Sequence, residues 1–181
     1  MAARGLLVWS VGLAAITAGY GQTSFTIADI QVRGTQRFTA ASVIAESGLK
    51  AGARVASRDV EAAARRLSET GMFAEVDYRY DPRSVKNKLS GYVVTWLVQE
   101  APIGATARLE FPGIEEEELW TELTRLNGLV SRQIPANSLV VGFLRRNVEA
   151  ALRKRGWTEP IMFRNEANLA TGSYYVVFLP R

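Results

Sequence analysis

The chain of 181 residues has no cysteine and no histidine. Their absence excludes a Ser-His or Cys-His catalytic pair, a thiolate nucleophile, a Cys/His zinc site and any structural disulfide. Covalent or acid-base chemistry would have to rest on carboxylates, Lys, Tyr or Ser. Charge of one sign is not concentrated either. Residues 22–100 carry eleven Lys/Arg against nine Asp/Glu, and residues 101–181 carry ten against nine. A nucleic-acid binder shows a basic stripe or tail that outweighs its acids locally, so no nucleic-acid partner is expected. The nearest approach is Arg145, Arg146, Arg153, Lys154 and Arg155 on one predicted helix, which reads as a solvated face with cations toward its C-terminal end. With 48% of its residues apolar, the chain is an ordinary globular composition and long enough for one or two domains.

Long apolar runs are missing except at the start. Arg4 precedes Leu6 to Ala18, in which only Ser10 and Thr17 are polar. That run is shorter than the roughly 20 apolar residues of a membrane helix and matches a secretory signal. Gly19 and Gly21 would be the small residues the peptidase reads, placing the cut before Gln22. No Cys follows, so a lipoprotein anchor is excluded. An uncleaved anchor is the alternative, and both readings put the folded part outside the cytoplasm.

From Phe25 onward, short elements alternate with glycine. FTIADIQV sets Ala28, Ile30 and Val32 on one face of a strand that ends at Gly34. Thr39 caps a short helix closed by Gly48. Ser57 is expected to cap a second helix, with Val60, Ala63, Ala64 and Leu67 as its core stripe and Gly71 as its stop. AEVDYRY then alternates Val76, Tyr78 and Tyr80 with Glu75, Asp77 and Arg79. Asp81-Pro82 is expected to start a loop, and YVVTWLV reads as a central strand.

The second half repeats this order. ARLEF ends at Pro112-Gly113, Glu115 to Asn127 carries Leu119, Leu123 and Leu126, and Asn137 or Ser138 caps a helix striped by Val141, Leu144, Val148, Ala151 and Leu152. IMFRN and YYVVFL close the unit. Gly113 matches Gly34, Gly156 matches Gly71, and Tyr175-Val-Val matches Tyr92-Val-Val. Such a pattern is a duplicated module. The expected fold is therefore α+β, two tandem β-α-α-β-β modules, each a three-stranded sheet covered by two helices. The expected divisions are residues 1–21 as signal, 24–100 and 105–181, with a limited hinge near Pro102.

The run GLKAGARVASRDVEAAARRLSETGMFAEVDYRY with YVVTWLVQE resembles the POTRA (polypeptide-transport-associated) domain of outer-membrane assembly factors of the BamA kind. Its most specific part is Leu67-x-x-x-Gly71-x-Phe73-x-x-Val76, and Val98-Gln-Glu100 running into APIGATARLEFPG resembles the link between successive POTRA domains. The second unit fits more loosely: Trp157 stands near the place of Phe73, and no acid closes its last strand. The resemblance implies a periplasmic location near the outer membrane and binding rather than catalysis. Factors of that kind carry a membrane β-barrel after these domains; the chain reads either as a stand-alone periplasmic protein or as a fragment of a longer one.

In that fold the second strand lies at a sheet edge, where β-augmentation can add an extended segment. The expected edges are Ala74 to Tyr80 and Ile161 to Asn165, with binding expected at Glu75, Val76, Asp77, Tyr78 and Arg79 and at Ile161, Met162, Phe163 and Arg164. Partners would be unfolded outer-membrane proteins or assembly-machinery subunits, with proline at Val76 or Asp77 expected to weaken capture. The outward charges on the first edge would equally serve to protect it. No catalytic residue, cofactor, metal or small-molecule substrate is expected. Glu115 to Glu118 read as acids complementing a helix dipole rather than a metal cluster. Trp96 reads as core and Trp120 as partly exposed. A cell-division scaffold of the FtsQ kind is the alternative, disfavoured by the short apolar run and the repeat.

Overall fold

The computed structural model describes residues 24–181. The expected cleavage positions Gly19, Gly21 and Gln22 lie outside the described residues. The first unit consists of β1 (Ser24–Arg33), α1 (Ala40–Ser47), β2 (Arg54–Ala56), α2 (Ser57–Ser68), β3 (Phe73–Val85) and β4 (Lys88–Glu100). The second consists of β5 (Ala105–Leu109), α3 (Glu116–Leu126), β6 (Gln133–Ile134), α4 (Ser138–Lys154), β7 (Ile161–Asn168) and β8 (Ser173–Pro180). The architecture is α+β, as expected, with one correction. Each sheet has four strands rather than three, in the orders β2-β1-β4-β3 and β6-β5-β8-β7. The added strands β2 and β6 pair antiparallel with β1 and β5 over three and two residue pairs. Elements that short carry no readable alternation.

The helices form where capping and apolar spacing agree. The Thr39 side chain accepts from Ser42 N–H, and Gly48 closes α1 in the left-handed conformation. Ser57 is the first residue of α2 rather than its cap. The side chain of Asp59 instead reaches back to the Ala56 N–H at 2.7 Å. Val60, Ala63 and Leu67 are buried as expected. On α3 the buried set is Leu119, Trp120 and Leu123, while Leu126 is exposed. Trp120 is therefore core, because Glu116 Oε1 accepts from its indole N–H at 3.0 Å and satisfies it inside. Asn137 caps α4, and its stripe begins at Val140 and Phe143 rather than at Val141.

Two irregularities alter which faces are buried. A register shift between Ile27 and Asp29 lets both Ile27 and Ile30 enter the core, where strict alternation had placed Ala28. The hairpin of β3 and β4 also runs past Pro82, which pairs with Tyr92, and turns at Lys86 and Asn87, both at positive φ. Asp81-Pro82 thus continues the strand, because proline is tolerated on an edge when its nitrogen faces away from the neighbour. Gly34, at φ +92, is needed for close approach: a Cβ there would fall on the Val98 carbonyl.

Candidate functional site

The strand orders leave β3 and β7 as sheet edges, so both sets of sequence-predicted residues stand on edges. Which backbone groups face outward follows from proline. In an antiparallel pair, residues alternate between positions bonded to the partner and positions whose N–H and C=O point away. Pro82 cannot donate, so it stands at an outward position, and Val76, Tyr78 and Tyr80 share its phase. Tyr78 N–H fits this, since it donates to its neighbour Asp77 Oδ1 at 2.7 Å. Asp77 and Arg79 are then bonded to β4. A proline at Asp77 would break the ladder, and Val76 is the position that tests the edge alone.

On β7, Arg181 N–H donates to Pro160 C=O at 3.0 Å, and Pro180 stands opposite Ile161. Bonded pairs therefore include Met162 with Leu179 and Arg164 with Val177, leaving Ile161, Phe163 and Asn165 outward. Of the four residues expected on this edge, Phe163 and Ile161 offer backbone groups. Arg164 is instead held by Glu110 at 2.8 Å and Glu166 at 2.7 Å. Asn165, which ends the expected edge strand, joins them. Its outward phase follows from the register with β8.

The two edges differ in what lies beside them. In the first unit α2 packs along β3. The Tyr78 ring meets Trp96 edge-on at 5.9 Å, with the α2 residue Glu61 nearby. Its hydroxyl is held above the ordinary tyrosine value, first by burial and then by the Glu61 carboxylate. The space between helix and edge is filled, and Asp77 occupies an outward donor. In the second unit α4 and β7 barely touch, and between them runs a groove of about 560 Å³. Val141, Gly142, Phe163, Asn165, Tyr174 and Val176 line it, with Arg145 at its side. Phe163 and Tyr174 remain 42% and 56% exposed there. Phe163 and Asn165, whose backbone groups point outward, are also the β7 residues whose side chains line the groove. A strand added to β7 would place every second side chain into it.

The junction between the units is bonded as well as linked. Glu100 Oε1 accepts from the N–H groups of Gln36 at 2.7 Å and Arg37 at 2.8 Å. Its other oxygen pairs with Arg37 Nε at 2.7 Å. Arg37 also donates to the carbonyls of Ala101 (3.0 Å) and, in the second unit, Gln133 (3.4 Å). Burial pushes the Glu100 carboxyl up, but the Arg37 hydrogen bond and the backbone donors outweigh it and hold it below the usual glutamate value. Asn137 Oδ1 caps α4 through Val140 N–H while its Nδ2 donates to Gly71 C=O, both at 2.9 Å. Asn127 donates to Glu46 at 2.8 Å. The expected hinge near Pro102 is thus bridged on either side.

The acids that open α3 each have a separate partner. Glu116 accepts from Leu109 N–H and Trp120, Glu117 pairs with Arg132, and Glu118 shares Arg155 with Glu122. Among the described residues no group of three or more acids could hold a metal ion, and no helix is long and apolar enough to cross a membrane.

No curated protein matches the chain. Solved structures similar to it include POTRA1-2 of the periplasmic domain of Omp85 from Anabaena, at 12% identity over 88% of this chain and 98% of that one, with a TM-score of 0.43. The N-terminal domain of Omp85 from the thermophilic cyanobacterium Thermosynechococcus elongatus is 15% identical over 86% and 63%, with a TM-score of 0.43. Haemophilus influenzae BamA POTRA3-5 is 13% identical over 89% and 67%, with a TM-score of 0.39. The POTRA family model, described as a surface antigen variable number repeat, matches residues 25–100. That stretch, β1 through β4 with both covering helices, is a POTRA domain.

Proposed function

We propose that the chain is a periplasmic scaffold of outer-membrane protein assembly or transport, which captures extended polypeptide segments by strand addition. The units 24–100 and 105–181 would present two edges of unequal readiness. One observation carries this reading: the outward backbone of Phe163 and Asn165 borders an open apolar groove. The ligand would be a segment with apolar residues at alternate positions, as in an unfolded outer-membrane strand or an extended arm of an assembly subunit. Recognition then needs no covalent step, which suits a chain without histidine or cysteine. The edge at Glu75 to Arg79 would be the weaker acceptor, since Asp77 must first release the Tyr78 N–H.

The test is fluorescence anisotropy with a labelled peptide of about ten residues, apolar at every second position. Asn165→Pro removes one outward donor at an exposed position and should weaken binding roughly tenfold, the worth of about one hydrogen bond. Val141→Trp fills the groove and should weaken it further, while Val76→Pro should have little effect. Unchanged affinity in both Asn165→Pro and Val141→Trp, with native circular dichroism, would overturn the reading.

A further inference from the structure

The tip of the first hairpin has a surface chemistry that strand addition does not use. Residues 82–99 contain Arg83, Lys86 and Lys88 and no acid. Val85 and Leu89, on either side of the turn, are 51% and 60% exposed. Behind them lies an aromatic cluster in which Phe25 stacks on Tyr80 at 5.2 Å and meets Tyr92 at 5.1 Å. Arg54 joins Leu89, Tyr80 and Tyr92 around one shallow depression. The flanking acids are already engaged, Asp81 with Arg79 at 3.4 Å and Asp59 with Arg58 at 3.9 Å. Exposed aliphatic side chains ringed by cations, with tyrosines one layer back, have the chemistry of a surface that seats in an anionic headgroup layer.

Topology adds an independent argument. β1 runs parallel to β4, with Ile27 opposite Tyr92, so the chain enters the domain at the hairpin end of the sheet. Ala18, the last residue of the apolar run from Leu6, precedes Ser24 by six residues. Six residues span at most about 20 Å. If that run stays in a bilayer, the hairpin tip is held beside the headgroups. If it is removed before Gln22, the new α-amino group adds a cation at the same end.

We propose that this end of the first unit, Val85 and Leu89 with Arg83, Lys86, Lys88 and Arg54, docks on an anionic phospholipid surface. The cations answer the phosphates, and the two aliphatic side chains enter the headgroup layer. A soluble acidic partner would use the cations without burying Leu89, which is what separates the two in an experiment.

The absence of cysteine makes a site-specific probe clean. Leu89→Cys in the full chain, labelled with an environment-sensitive fluorophore, is mixed with phosphatidylcholine vesicles with or without about 30 mol% phosphatidylglycerol. The expected result is a blue shift and quenching by spin-labelled lipid with the anionic vesicles only. Leu169→Cys, at the 93% exposed tip of the other hairpin, should stay water-like. Neutralising Arg83, Lys86 and Lys88 to Gln should abolish the Leu89 shift, with circular dichroism reporting an intact fold. A Leu89 probe that stays water-like on anionic vesicles overturns the proposal. So does an equal shift at Leu169, or a shift that survives neutralisation; retention on heparin without insertion would point to a soluble acidic partner instead.

Discussion

Asn137 serves both units at once, and its removal should be felt twice. Asn137→Ala deletes the α4 cap on Val140 N–H, worth about 1 kcal/mol. It also deletes the bond from Nδ2 to Gly71 C=O, a half-buried contact across the junction worth about another 1 kcal/mol. The sum, about 2 kcal/mol, lowers the folded-to-unfolded ratio roughly 30-fold. For a body of this size it should lower Tm by roughly 4–8 °C. Asn137→Asp separates the two parts. Its carboxylate still caps the helix, favoured by the dipole, but offers no donor to Gly71, so about half of the loss should remain. The assay is urea unfolding followed by circular dichroism and by tryptophan emission, with Trp96 in the first unit and Trp120 and Trp157 in the second. The cross-junction bond couples the units, so in Asn137→Ala the two probes should move apart, whereas in the parent they coincide. A loss below about 0.5 kcal/mol in Asn137→Ala, or equal losses in Ala and Asp, would refute this division of labour.

Gly71→Ala should be more damaging than a surface glycine change. At φ +70 an alanine is strained, and its Cβ would lie 2.5 Å from both Asn137 Oδ1 and Val140 N. More than 2 kcal/mol of destabilisation is expected from thermal melts, against about 1 kcal/mol for the same change at Gly52, which has the same conformation and open space. The pH dependence should reveal Glu100. Its carboxyl is held below the ordinary value of 4.5 in the fold. Its stabilising contribution is therefore complete above that value and lost as the pH falls through the lower folded value. Melts between pH 6 and about 3 should show Glu100→Gln less stable than the parent at the top of the range and converging with it at the bottom. A constant gap would contradict the assignment.

Much of the fold was legible because its signals are local. Thr39, Asn137 and Gly48 cap helices through bonds that span a turn or less, and Val60, Ala63 and Leu67 mark a core face by spacing alone. The repeat was legible for the same reason, as each half writes the same local signals in order. Ser57 was misread as a cap because the Asp59 carboxylate, one turn along, took that role. Trp120 was misread as partly exposed because the acceptor that satisfies its indole N–H inside the fold is the side chain of Glu116.

The binding edges divide along the same line. Alternation in AEVDYRY and IMFRN marked the strands, and the resemblance supplied their place at the edge. Which backbone groups point outward depends on the phase against β4 and β8, set by Pro82 and Pro180 across the pairing. The register therefore turns the backbone of Asn165 outward and that of Asp77 toward β4. The groove is a difference in how two similar halves pack: Tyr78 fills the space under α2, while Phe163 and Tyr174 leave it open under α4. The sequence by itself determined the helices, the main strands and their duplication, because caps and periodicity act within a few residues. Strand order, the short strands β2 and β6, the outward phase of each edge and the open groove were decided only by tertiary structure, because each depends on groups brought together from far apart in the chain.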